Sequence, residues 1–248
     1  MFRTLASTTA LIVALSAPAQ AFDITEMTEE ERSIFREEVR AFLMEDPQVI
    51  MDAVAMLEQR QQAAQAQSDL SLVSDNAEEI FNDGYSFVGG NPDGDITLVE
   101  FLDYRCGYCK RAHDEVAKLL ETDGNIRLIV KEFPILGEQS VLASRFVVAA
   151  KQVAGAEAYK GLTDALMTAN GDITLRSLER MASTFGLDAE AIVAQMDSDE
   201  VTHELSRTRA LAQRLQITGT PTFVLQDELL RGYLPYDQML ALVDEKRG

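Results

Sequence analysis

Hydrophobic positions along the chain fall into two regimes. In the first, Thr28-Glu29-Glu30-Glu31 has the form of a capping box. Phe35, Val39, Phe42 and Leu43 then recur at helical spacing. Asp46-Pro47 interrupts and opens a second helix, Asp46 suiting the N-cap and Pro47 the first turn. Ile50, Val54 and Leu57 lie on one face of that helix. Beyond Arg60 the run Gln61-Gln62-Ala63-Ala64-Gln65-Ala66-Gln67 favours helix but has little to bury. The heptad spacing of Ile50, Leu57 and Ala64 lasts only about two repeats, too few for a coiled coil.

The second regime begins after Gly89-Gly90-Asn91-Pro92-Asp93-Gly94-Asp95, a composition that reads as a turn. Ile96 to Leu102 is almost continuously apolar, as a central strand buried on both faces must be. A helix is expected from about Gly107 to Glu121, then a strand from Ile126 to Phe133, ended by Pro134. Residues 139–216 carry helical patterns and no convincing strand. Thr222 to Leu225 and Leu229 to Gly232 read as a hairpin, and 236–247 as a closing amphipathic helix. The order is that of a thioredoxin-like α/β fold with a helical insertion, preceded by an N-terminal helical extension. The expected division is a segment 1–21, a helical region 22–75, and a domain 76–248 with its insertion at about 139–216.

Charge and the N-terminus narrow the function. The 248 residues carry a formal net charge of −19, which repels phosphate backbones and argues against nucleic acid as a partner. Arg3, a short apolar run from Ala10 to Ala17, and Ala19-Gln20-Ala21 fit a cleaved export signal, with cleavage after Ala21. The run is shorter than the roughly 20 residues that span a bilayer. Export leads to a periplasmic setting, where disulfides persist.

The two cysteines stand three residues apart, Cys106-Gly107-Tyr108-Cys109, directly after the central strand. Two cysteines in so long an exported chain are not a structural framework, and a loop this short gains little as a staple. A zinc site needs two more ligands, and His113 and His203 are not at ligand spacing. At a helix start, free N–H groups favour a thiolate, and a second thiol one turn on makes a unit for thiol–disulfide exchange. Cys106 is then the exposed nucleophile and Cys109 the resolving thiol, with no metal or cofactor required.

Glu100 is a carboxylate in an apolar strand. It is either desolvated and able to relay a proton to Cys109, or it lies at an edge or pairs with a base such as Lys131. Thr220-Pro221 precedes a strand, and from sequence alone it is a plain turn, since only about 5–6% of X-Pro bonds in folded proteins are cis. His113 lies about 10 Å down the helix from Cys106, which makes it structural or superficial. His203 is expected in solvent. Met44, Met51 and Met56 are expected in a core and not at a copper site.

Phe101 to Arg111, Lys131-Glu132-Phe133-Pro134-Ile135-Leu136 and Gly219-Thr220-Pro221-Thr222-Phe223 together resemble the DsbA family of exported thiol–disulfide oxidoreductases. The resemblance covers roughly residues 85–247. It implies that Cys106 and Cys109 form the redox disulfide, that Pro221 is cis and packs on the pair, and that Glu100 is the family's buried strand glutamate. It also implies that Thr220, Pro221, Gly107 and Tyr108 line the groove for an extended substrate. Strongly oxidising members carry Pro-His between the cysteines. Gly107-Tyr108 supplies no such positive charge and points to a less oxidising couple. The N-terminal helices resemble the oligomerising region of ScsC-type members. The alternative for them is a helical cap or a tether. The resulting expectation is an isomerase or reductase acting on exported proteins, reset by a membrane redox partner and self-associating through residues 22–75. Its rivals are a dithiol oxidase and, in another class, a holdase or copper(I)-binding protein using both thiolates.

Overall fold

In the computed structural model, which describes residues 25–248, the apolar run Ile96–Leu102 is strand β2, at the centre of a five-stranded sheet. Its side chains alternate between two cores. Leu98 and Leu102 enter one with Cys109 and Val116, while Val99 and Phe101 enter the other with Ile80, Leu211 and Leu215. Glu100 has the parity of Leu98 and Leu102, so it shares their side of the sheet with Cys109.

The sheet runs β1 (Phe87–Gly90), β3 (Ile126–Glu132), β2, β4 (Thr222–Leu225), β5 (Glu228–Arg231). β2 and β3 are parallel, with Glu100 opposite Val130 and Leu102 opposite Glu132; every other neighbouring pair is antiparallel. Parallel neighbours need a crossover, and helix α4 (Gly107–Asp123) supplies it, ending at Gly124 in the left-handed region with φ 72°. Helices α5 (Glu138–Ala154), α6 (Ala156–Thr168), α7 (Leu175–Thr184), α8 (Ala189–Gln195) and α9 (Asp199–Arg214) lie between β3 and β4 in the chain, and α10 (Tyr236–Arg247) closes it. This is the expected thioredoxin-like α/β fold with a helical insertion.

Two elements escape the sequence pattern, β1 and the short helix α3 (Ala77–Phe81). Gly89 and Gly90, read as part of a turn, belong to β1. An edge strand pairs through its backbone, and here glycine is required by contact. A Cβ on Gly89 would lie 2.8 Å from the Phe87 ring, and one on Gly90 2.4 Å from the Ile126 carbonyl oxygen.

The N-terminal helices are α1 (Glu29–Glu45) and α2 (Gln48–Asp75). The Thr28 capping box forms, with Thr28 N–H donating to Glu31 Oε2 at 2.8 Å and Glu31 N–H to Thr28 Oγ1 at 3.3 Å. Contacts divide the chain into the units Met1–Gln59 and Arg60–Gly248. The division falls inside α2, ahead of the expected boundary at 75/76, because the end of this helix joins the second core. Val73 is buried there, and Asp69 accepts two hydrogen bonds from Arg231 and one at 2.8 Å from Gln65. In the first unit Met44, Met51 and Met56 are 74%, 60% and 54% exposed. The expectation that they are core is corrected: α1 buries no residue, and the two helices leave their apolar stripes open. The expected targeting segment 1–21 and its cleavage after Ala21 lie outside the described residues. Among those residues, no helix is long and apolar enough to cross a membrane.

Lys131 does not reach Glu100. It has the parity of Phe101, opposite Glu100, and its fully buried ammonium pairs with Asp83 and donates to the Glu79 carbonyl at 2.8 Å. Removing one partner of a buried pair leaves an uncompensated charge. Lys131→Met is therefore expected to destabilise the protein by about 3–5 kcal/mol in urea unfolding. A loss under about 1 kcal/mol would mean the pair behaves as a solvated one.

Candidate active site

The chain leaves β2 at Leu102 and meets Asp103, a buried carboxylate that the sequence reading passed over. Its Oδ1 accepts from Arg105 N–H at 2.7 Å and from the Ser140 hydroxyl at 2.8 Å. Its Oδ2 accepts from the N–H groups of Ile135 and Leu136 at 2.8 and 3.0 Å, and its carbonyl from Cys106 N–H at 3.1 Å. One side chain thus ties the turn before the cysteines to the loop after β3 and the start of α5. An aspartate two residues before a turn N–H is the local signal that pointed to it.

Cys106 is the N-cap of α4, with φ −77° and ψ 114°. Its Sγ accepts from Cys109 N–H at 3.4 Å, and the thiol donates to the Thr220 carbonyl oxygen at 3.1 Å. Negative charge on this sulfur would be stabilised by the helix N-terminus. The Thr220-Pro221 bond is cis, as the resemblance implied and the bare sequence did not. Cys106 was expected to be exposed, but it is only 6% exposed, because the Thr220-Pro221 turn lies across it. Cys109 is fully buried, and both are free thiols. Burial pushes the Cys109 thiol well above the usual range. Nearby Glu100 adds to this rise.

Between the cysteines, Gly107 has open space where a Cβ would stand. Tyr108 is 56% exposed, with its ring centroid 6.4 Å from that of Tyr233 and the Arg111 guanidinium 5.1 Å above it. Gly107 and Tyr108 thus follow Cys106 at the start of α4, and Thr220 reaches its sulfur through the backbone carbonyl.

Glu100 is 3% exposed, and its Oε1 has no hydrogen-bond partner among the described residues. Burial, helped by the charge of Glu132, pushes its carboxyl up to about 8. Glu132 is a second buried carboxyl that the sequence reading did not single out. It has the same parity as Val130, opposite Glu100 on the neighbouring strand. It accepts from the hydroxyls of Tyr104 at 2.7 Å and Ser144 at 2.6 Å, and from that of Tyr159. Burial raises it to about 7 against those hydrogen bonds. The reasoning that marked Glu100, a carboxylate inside an apolar strand, applied equally to Glu132.

His113 is half-buried, 3.2 Å from Asp164 Oδ1, and not at the cysteines. His203 is exposed. Among the described residues no cluster of three or more His, Cys, Asp or Glu side chains is placed to hold a metal.

Residues 97–244 match the DSBA-like thioredoxin domain, and residues 31–64 match the copper resistance protein ScsC N-terminal domain. A thioredoxin-like oxidoreductase from Silicibacter pomeroyi is 42% identical, over 68% of this chain and 96% of that one, with a TM-score of 0.64. Proteus mirabilis ScsC in a transitional conformation is 26% identical, over 88% of this chain and 98% of that one, with a TM-score of 0.65. Among curated relatives, disulfide bond formation protein D of Bacillus subtilis is 22% identical over 169 residues, 63% of this chain and 75% of that protein. A Na(+)/H(+) antiporter NhaA of Herminiimonas arsenicoxydans is 27% identical over 161 residues, and there the chain spans only 25% of the relative's length. With its cysteine pair, cis proline and buried strand glutamate, this chain belongs to the DSBA-like thioredoxin domain family and carries an N-terminal segment of the ScsC type.

Proposed function

We propose that the protein is a periplasmic thiol–disulfide oxidoreductase acting on disulfides of exported proteins, with isomerase or reductase character. The observation that carries this reading is the asymmetry of the pair: Cys106 caps a helix beneath Thr220, and Cys109 is buried beside Glu100. The Cys106 thiolate attacks a substrate disulfide and forms a mixed disulfide, releasing one substrate sulfur as a thiolate. Where the substrate does not rearrange, Cys109 gives its proton to Glu100 and attacks Cys106. The Cys106–Cys109 disulfide then forms and the second substrate thiolate leaves. A membrane redox partner returns the pair to its working state, and no cofactor takes part. Thr220 and Pro221 offer backbone to an extended substrate, and Tyr108 an aromatic surface.

Gly107-Tyr108 supports the reducing side of the family's range, because it places no cation beside the Cys106 sulfur. The apolar stripes of α1 and α2 support self-association. Phe35, Phe42, Val54 and Leu57 are 42%, 54%, 44% and 56% exposed, and the ScsC-type match covers them. Several sites in one assembly would hold a misfolded chain by avidity.

The mature protein is expected to reactivate scrambled ribonuclease, and Cys106→Ala to abolish this. Rapid oxidation of a reduced peptide with no reactivation would identify an oxidase instead. Inactivity in both assays with tight copper(I) binding would identify a metal-sequestering protein.

Light scattering of the mature chain should give a multiple of the monomer mass. Phe42→Glu combined with Leu57→Glu should return it to the monomer with the fold intact. A monomeric parent would remove the oligomer from the mechanism.

The unfolded chain releases the Glu100 proton near 4.5, and the folded chain keeps it to about 8. Between these values the folded state binds more protons, so the glutamate costs stability progressively as pH rises through the window. Glu100→Gln, which stays neutral, should gain on the parent by on the order of 3–5 kcal/mol from pH 4 to pH 9. An equal difference at both pH values in urea unfolding would mean that Glu100 ionises normally.

A further inference from the structure

Cys109 is fully buried and Glu100 only 3% exposed, so a proton passed between them is still not in solvent. A cavity of 710 Å3 lies against Glu100, walled by β1, β2, β3, α4 and α6. Its titratable wall groups are Glu100, His113, Glu121, Glu157, Tyr159, Lys160 and Asp164, and the Tyr159 hydroxyl is committed to Glu132. The strands β1 and β3 bring only apolar side chains and glycine backbone to it. Two helices, α4 and α6, complete the wall. His113 of α4 places Nε2 3.2 Å from Asp164 Oδ1 of α6, and Asp164 Oδ2 accepts from Lys160 Nζ at 2.6 Å. Lys110, one turn before His113, is turned to the Ala169 carbonyl.

A cavity of this volume, with a buried unpartnered carboxyl oxygen and an imidazole 3.2 Å from Asp164 in its wall, has room and polar partners for several waters. Imidazole takes up and gives off protons near neutral pH, which carboxylates in solvent and lysine do not. We propose that this cavity is the proton exit of the resolving thiol, with His113, oriented by Asp164, passing the proton between Glu100 and solvent. The proposal rests on Glu100 acting as the base for Cys109.

The balance is simple. Cys109 loses its proton to the Glu100 carboxylate, the Cys106–Cys109 bond forms, and the bond from Cys106 to substrate breaks, its electron pair leaving on the substrate sulfur. The proton on Glu100 crosses the cavity water to the imidazole of His113 and goes on to solvent. In the reducing direction the same route delivers a proton to Cys109. His113 touches neither sulfur and is a positioning residue for the proton, not a nucleophile or base on substrate.

The test uses the mature chain with Cys106 blocked as a mixed disulfide with thionitrobenzoate, whose release by Cys109 is coloured and is followed from pH 6 to 9. His113→Gln should slow release by at least about tenfold at neutral pH, and added imidazole should restore most of the rate. Ala117→Phe, an exposed position on the cavity wall, should slow release without removing any titratable group. Glu100→Gln should slow release with no recovery in imidazole. If Glu100→Gln is slow and His113→Gln matches the parent throughout, the exit is refuted while Glu100 keeps its role. If both match the parent, the role of Glu100 fails as well. Slow release in His113→Gln that imidazole does not restore would make His113 structural and overturn the proposal.

Discussion

The site depends on one carboxyl group buried on the inner face of a central strand. Glu100 lies where Leu98 and Leu102 would dictate another leucine, against the helix that carries both cysteines. An ionised carboxylate there is costly without a partner, and the base considered for it, Lys131 on the neighbouring strand, faces the other way and pairs with Asp83. Glu132 on the next strand adds a second buried carboxyl on the same side. Two such groups cannot both ionise cheaply, so the sheet stores a proton beneath Cys109. That arrangement needs a strand covered on both faces, which explains why β2 is central and its neighbours nearly all apolar.

Above this carboxyl the two cysteines have opposite environments, although three residues separate them. Cys106 is an N-cap, where helix amides face its sulfur, and Thr220 approaches it from a part of the chain more than a hundred residues away. Cys109 is one turn into the helix and enclosed by the apolar core. Asp103 holds the turn between strand and helix against the loop that begins the helical insertion. The insertion therefore does more than decorate the fold. Its helix α6 also completes the wall of the cavity behind Glu100.

The N-terminal helices follow a different logic. Their apolar positions recur at helical spacing, but α1 buries no residue. An amphipathic helix gains stability by burying its stripe against another layer. The end of α2 finds such a layer, through Val73 and the Asp69–Arg231 pair. The earlier stripe from Ile34 to Leu57 stays open in its own unit.

Long elements with one strong pattern were legible from the sequence alone. The run at Ile96 to Leu102, the strand beginning at Ile126, the closing hairpin and the helices around them follow from periodicity and turn chemistry. The cysteine spacing, the anomalous Glu100 and the motif around Thr220-Pro221 named the chemistry. What periodicity does not encode was decided by tertiary structure. β1 is an edge strand of four residues held by backbone pairing, with glycines that composition assigns to a turn. The exposure of Cys106 depends on Thr220 crossing over it, and the surroundings of Met44, Met51 and Met56 on whether any layer faces them. Asp103, Glu132 and His113 acquire their roles from partners as far as 51 positions away, such as Tyr159 and Asp164. A residue's type and spacing reveal what chemistry it can offer. Only the folded chain, by choosing which groups lose their water together, decides which of those chemistries are joined.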